Sequence, residues 1–229
     1  STVTVNGNVT GNGIDTVIAK KGTVTVNGTV TATDLSEKTG VLASNGSNLT
    51  VGDTEVGGKE STGVIAESGS KATAGNVKVS GEYMTGTSAY GDSTVHVKGN
   101  VTADGNGMTG VSVHDGDKSS LIVDGDVTAT GENSVGIYGE TGIIKIGGDV
   151  SGREAVITKG KADVTVGGSV SGTLVGIVAG GNAAVSVKGD AGTKTGAGMF
   201  AQENATVTVD GNVTGGTFYG APEDFEDVY

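Results

Sequence analysis

The residues best suited to chemistry in this sequence are carboxylates two positions apart. Asp115 with Asp117, and Asp124 with Asp126, could act as the paired acids of a glycoside hydrolase; with an activated base and charge stabilisation they could serve a polysaccharide lyase. Their surroundings argue against both. Arg153 is the only arginine, and aromatic residues make up 3% of the chain, so there are few groups to stabilise charge or to stack on a sugar. Acidic residues beside glycine are also ordinary turn formers. Metal binding has no firmer footing. Asp104, Gly105, Asn106 and Gly107, or Asp115, Gly116 and Asp117, offer oxygen ligands, but neither run has the spacing of a Ca²⁺ loop. His96 and His114 have no companion ligands in the sequence, and the absence of cysteine excludes disulfides and thiolate sites. The expectation is a protein with no catalytic residue, no metal and no cofactor.

The elements that would position these residues come from a repeat. Thr23 to Thr31 reads TVTVNGTVT, with Val24, Val26 and Val30 alternating against Thr23, Thr25 and Thr31 as in a strand with one buried face. Asn27 and Gly28 interrupt it, and such a pair favours positive φ, so two short strands joined by a bend are expected. Copies begin at Val3, Val24, Leu49, Val77, Val95, Leu121, Ile144, Val164, Val185 and Val207, at intervals of 21, 25, 28, 18, 26, 23, 20, 21 and 22 residues. A glycine column accompanies them through Gly7, Gly28, Gly81, Gly99, Gly125, Gly148, Gly168, Gly189 and Gly211, with Asp53 as the exception. The register is weakest over Lys71 to Tyr83. There the arm is placed on Val77, Val79, Gly81 and Tyr83, with Ser70 to Asn76 as an insertion, although Ala72 and Ala74 could hold those slots.

A second apolar arm follows each variable stretch, as GVLA at Gly40 to Ala43, GVIA at Gly63 to Ala66, GIVA at Gly176 to Ala179 and GMFA at Gly198 to Ala201. No segment has a convincing 3.6-residue period, and the leucine and asparagine framework of a leucine-rich repeat is missing. The pattern predicts an all-β fold: a single-stranded parallel β-helix, or β-solenoid, of about ten turns of ~23 residues over residues 1–220. Residues 221–229 form an acidic tail or the start of a cap or linker. At ~4.8 Å per turn the rod is roughly 48 Å long.

These arms resemble the parallel β-helix repeats of bacterial cell-surface and secreted proteins, including autotransporter passenger domains and adhesins. The resemblance rests on TVTVNGNVT and GVxA. It implies a right-handed coil, an extracellular or cell-surface location and an adhesive or structural role. A net charge of −12 argues against binding nucleic acid or anionic membrane, and no apolar run approaches the roughly 20 residues that cross a bilayer. The opening at Ser1 inside a repeat suggests a piece cut from something longer.

Two outward columns are candidates for function. In the second arm the middle residue should face out, giving Ile18, Leu42, Ile65, Ser88, Ser112, Tyr138, Ile157, Val178, Phe200 and Tyr219. Its apolar members, Ile18, Leu42, Ile65, Tyr138, Ile157, Val178, Phe200 and Tyr219, make an exposed stripe for a second copy, a surface protein or a glycan, unless a loop covers that strand. The other column holds Thr10, Thr31, Thr102, Thr128, Ser151, Ser171 and Thr214. With the threonines of the first arm it suggests a flat hydroxyl array of the ice-binding kind, but His96, Ile122, Lys145 and Asp163 interrupt that first face. The β-propensity of threonine on a solvated sheet accounts for it better.

Overall fold

The computed structural model describes residues 1–215. Among these the chain forms strands and no helix, coiled so that every strand pairs in parallel with its equivalent one rung away. The fold is a β-solenoid. Each TVTVNGTVT unit does break into two strands, as Thr23–Val26 and Val30–Ser36 show, and the GVLA arm lies in a third, Thr39–Ser44. A rung is therefore a triangle with three strands for sides.

The first sides form a ten-stranded sheet running from Thr2–Val5 to Thr206–Val209. The second and third sides join into one seventeen-stranded sheet, because Val150–Thr158 and Val170–Ala179 run around their shared corner without a break. Ten strands of the first side and nine of the third make nine complete rungs among the described residues. The expected boundaries at 220 and 221–229 lie outside the described residues.

The fourth rung corrects the expected alignment. Ala72 and Ala74 lie in the first sheet, with Ala72 between Leu49 and Val95 and Ala74 opposite Val97, while Val77 and Val79 belong to the second side. Local pattern favoured Val77, since valine fills a core slot better than alanine. The neighbouring rungs decide otherwise: only this placement pairs Lys71–Ala74 with strands on both sides. The intervals around it become 23 and 23 residues, and no insertion is needed.

The same shift completes the glycine column. Gly52 and Gly75 occupy it in place of Asp53 and Gly81, as the bonds from Gly75 N–H to the Gly52 carbonyl and from Gly99 N–H to the Gly75 carbonyl show. The reason for glycine also differs from the expected one. Gly28, Gly125 and the other members of the column are not at positive φ. A Cβ on Gly125 would instead stand 2.0 Å from Asn100 Oδ1 and 2.9 Å from the Gly99 carbonyl oxygen. Close approach of the preceding rung excludes any side chain.

That preceding oxygen belongs to a ladder of side chains. Asn76 Oδ1 accepts the Asn100 N–H at 3.0 Å, Asn100 Oδ1 the Asp126 N–H at 2.8 Å, Asp126 Oδ1 the Asp149 N–H at 2.8 Å and Asp149 Oδ1 the Ser169 N–H at 2.7 Å. Corner backbone that no strand can pair is thereby satisfied by the rung below. Inside, valine, leucine, isoleucine and alanine columns fill the triangle; Val95, Leu121, Ile144 and Val164 are all fully buried. Each Val-sized side chain contributes roughly 1.5–3 kcal/mol by burial, against the entropy of ordering its rung, so stability depends on stacked neighbours.

Candidate binding face

The third side carries the apolar column, and pairing puts nine of its expected members in a single row. Ile18 pairs with Leu42, Leu42 with Ile65, Ile65 with Ser88 and Ser88 with Ser112. The row continues through Tyr138, Ile157, Val178 and Phe200. Tyr219, its expected tenth member, lies outside the described residues. Val41 and Ala43 on either side of Leu42 are buried, so the alternation points Leu42 and its equivalents out of the core. Ile18 is 43% exposed, while Leu42, Ile65, Tyr138, Val178 and Phe200 are half-buried. Ile157, between Tyr138 and Val178, is buried.

The centre of the row differs. Ser88 and Ser112 are buried because the residues two positions on, Tyr90 and His114, occupy the same outward face. Their rings stack at 5.2 Å between centroids and 14° between planes, and Ser88 Oγ lies 3.4 Å from His114 Nε2. Each tyrosine on this face is tied to a glutamate. Tyr90 donates its hydroxyl to Glu67 Oε2, and Tyr138 donates to Glu140 Oε1 at 2.7 Å. Burial first, then the hydrogen bond to the carboxylate and its negative charge, raise both phenols above their ordinary range. Lys159 Nζ sits 5.9 Å from the Tyr138 ring centroid. The face thus combines an aliphatic stripe with two rigid Tyr–Glu pairs and a stacked His. Sequence reading missed Tyr90, His114, Glu67 and Glu140 as a group; the signal was their position two residues beyond the apolar column in consecutive rungs.

The other candidates take different places. Asp126 is a rung of the corner ladder, and Asp124 binds His96, whose Nε2 lies 3.0 Å from both carboxylate oxygens. His96 therefore has a companion carboxylate that the sequence did not reveal. Asp115 stands 3.6 Å from His114 Nδ1 and is largely exposed. Among the described residues no group of three or more His, Asp or Glu is placed to hold a metal. On the second side the hydroxyl column does align from Thr10 and Thr31 to Thr102, Thr128, Ser151 and Ser171, but Glu55 and Lys78 stand within it. A shallow depression beside them, lined by Thr31, Glu55, Gly57, Lys78 and Ser80, holds about 200 Å³. That is below the roughly 300–1,000 Å³ of an ordinary small-molecule site.

No helix among the described residues is long and apolar enough to cross a membrane. Comparison with protein-family models, with curated proteins and with solved structures gives no match for this chain.

Proposed function

We propose that this protein is a non-enzymatic, adhesin-like rod of the extracellular or cell-surface kind, and that the third side of the solenoid is its binding face. The observation that carries the reading is the in-register outward row from Ile18 to Phe200, in which Ile18, Leu42, Ile65, Tyr138, Val178 and Phe200 are at least partly exposed. The mechanism is geometric. A stiff stack holds the apolar side chains about 4.8 Å apart, so a second copy, a surface protein or a glycan meets a preorganised surface and little ordering entropy opposes binding. The Tyr–Glu pairs fix polar groups in the middle rungs of the row, between its two apolar stretches.

Replacing Ile65 and Phe200 with lysine tests this directly. Partner binding or lateral self-association should be lost, while the β-sheet circular dichroism spectrum stays unchanged because both side chains point outward. Binding that survives with the fold intact would sink the assignment.

A further inference from the structure

The most exposed aromatic side chain among the described residues is Tyr83, at 56%, and it lies off the third-side row, at the corner where the second side turns into the third. That corner takes one residue per rung in the left-handed region: Glu37, Glu60, Tyr83, Gly107 and Asn133 have φ of 52°, 50°, 53°, 65° and 54°. Bonds from Glu60 N–H to the Glu82 carbonyl, from Tyr83 N–H to the Asn106 carbonyl and from Gly107 N–H to the Glu132 carbonyl set them in one column. A bulky ring is a poor choice for this conformation, in which asparagine and glycine are at ease. Such a residue, strained and with its side chain in water, adds little to the core and points to a role outside it.

The next rung makes room for the ring. Glu60 and Asn133 accept the same φ, so conformation alone does not demand glycine at 107. Tyr83 does: a Cβ on Gly107 would stand 2.4 Å from Tyr83 Cδ1 and 2.7 Å from Cε1. The ring is held against the Gly107 backbone, and the rest of its surface faces water. Polar groups flank it. Glu82, its neighbour in the chain, pairs across rungs with Lys59 and Asn106, and Lys59 Nζ lies 3.9 Å from the carboxylates of both Glu60 and Glu82. Farther back on the same strand, Lys78 and Ser80 line the shallow depression of about 200 Å³ on the second side. Ser80 is three residues from Tyr83, about 10 Å along an extended chain.

We propose that this corner binds a neutral oligosaccharide, with one sugar ring resting on Tyr83, its hydroxyls on Glu82 and Asn106, and the next units following the strand to the depression. A sugar ring offers C–H groups on one side, which suit the electron-rich face of an aromatic ring, and hydroxyls around its edge, which suit carboxylate and amide groups. Glu55, Glu60 and Glu82 outnumber Lys59 and Lys78 here, in a chain of net charge −12, so an acidic glycan is repelled. The site is separate from the apolar row and does not depend on that row being a binding face.

Titration of the full chain with cellohexaose, maltohexaose and mannohexaose, followed by NMR of the tyrosine rings, should shift the Tyr83 signals with at least one of the three, and high salt should leave the affinity unchanged. Tyr83→Asn is the diagnostic variant. Asparagine suits the left-handed backbone, so the thermal midpoint should not fall, while loss of the ring should weaken binding about tenfold. Tyr83→Phe keeps the platform and should bind within about twofold of the native chain. Ile65→Lys on the third side should bind the sugar as the native chain does. The proposal is overturned if no hexasaccharide binds, if the Tyr83 signals stay fixed while one binds, or if Tyr83→Asn binds undiminished. Saccharide binding that disappears in Ile65→Lys also overturns it and moves the glycan to the apolar row. So does Tyr83-dependent, salt-sensitive binding of hexaarginine without any saccharide, which would assign the corner to a cationic partner.

Discussion

At Gly125 one added methyl group is enough to strain the contact between two rungs. The added methyl of Gly125→Ala would overlap Asn100 Oδ1, which cannot retreat without losing the Asp126 N–H, and the Gly99 carbonyl, which accepts the Gly125 N–H. The loss should be about 1–3 kcal/mol, read as a lower denaturation midpoint with an unchanged slope. Tyr90 and Tyr138 offer a second test at this scale. Because their phenols are raised, absorbance near 295 nm should show them still protonated above pH 10, where a free phenol ionises. The sign follows: a raised phenol contributes stability that is fully present below pH ~10 and is lost as pH climbs from there towards the folded-state value. Glu67→Gln should bring the Tyr90 step down part of the way, since it removes the charge and keeps a hydrogen-bond acceptor. Tyr138 and Glu140 are two residues apart, but the Tyr90 pair was not visible in sequence: Glu67 and Tyr90 are 23 residues apart and meet only because they lie on adjacent rungs.

For the strands, alternation was enough to place most of the core and the outward row, since a period of two sends neighbours to opposite faces whatever their partners. Leu121, fully buried between Val95 and Ile144, is the column member whose loss should be felt most plainly. Leu121→Ala is expected to cost about 2–5 kcal/mol in equilibrium unfolding. Asp126→Ala tests the ladder instead. It orphans the Asp149 N–H at an exposed corner where water can substitute, so the cost should be only about 0.5–1.5 kcal/mol. The fourth rung shows where alternation fails. Lys71–Ala74 and Val77–Glu82 both alternate, and nothing within either segment says which belongs to the first sheet. Pairing with Asn48–Val51 below and Thr94–Val97 above decides it.

At the scale of the molecule, each rung touches only its neighbours, so whole rungs should be removable. Deleting residues 95–120 joins Thr94 to Leu121 and keeps the register, because Thr94 pairs with Ser120. The shortened chain should fold cooperatively with a denaturant slope lower by about a tenth, in proportion to the surface removed. Deleting only residues 95–106 shifts one side against the other two and should prevent folding. The sequence by itself determined the all-β solenoid, the repeat length and the apolar row, because these depend on periodicities that each segment carries alone. Only the tertiary structure decided the alignment of the fourth rung, the steric cause of the glycine column and the Tyr90–Glu67 pair. Those depend on which residues lie about 4.8 Å apart across rungs, and that distance is set by stacking rather than by neighbours in the chain.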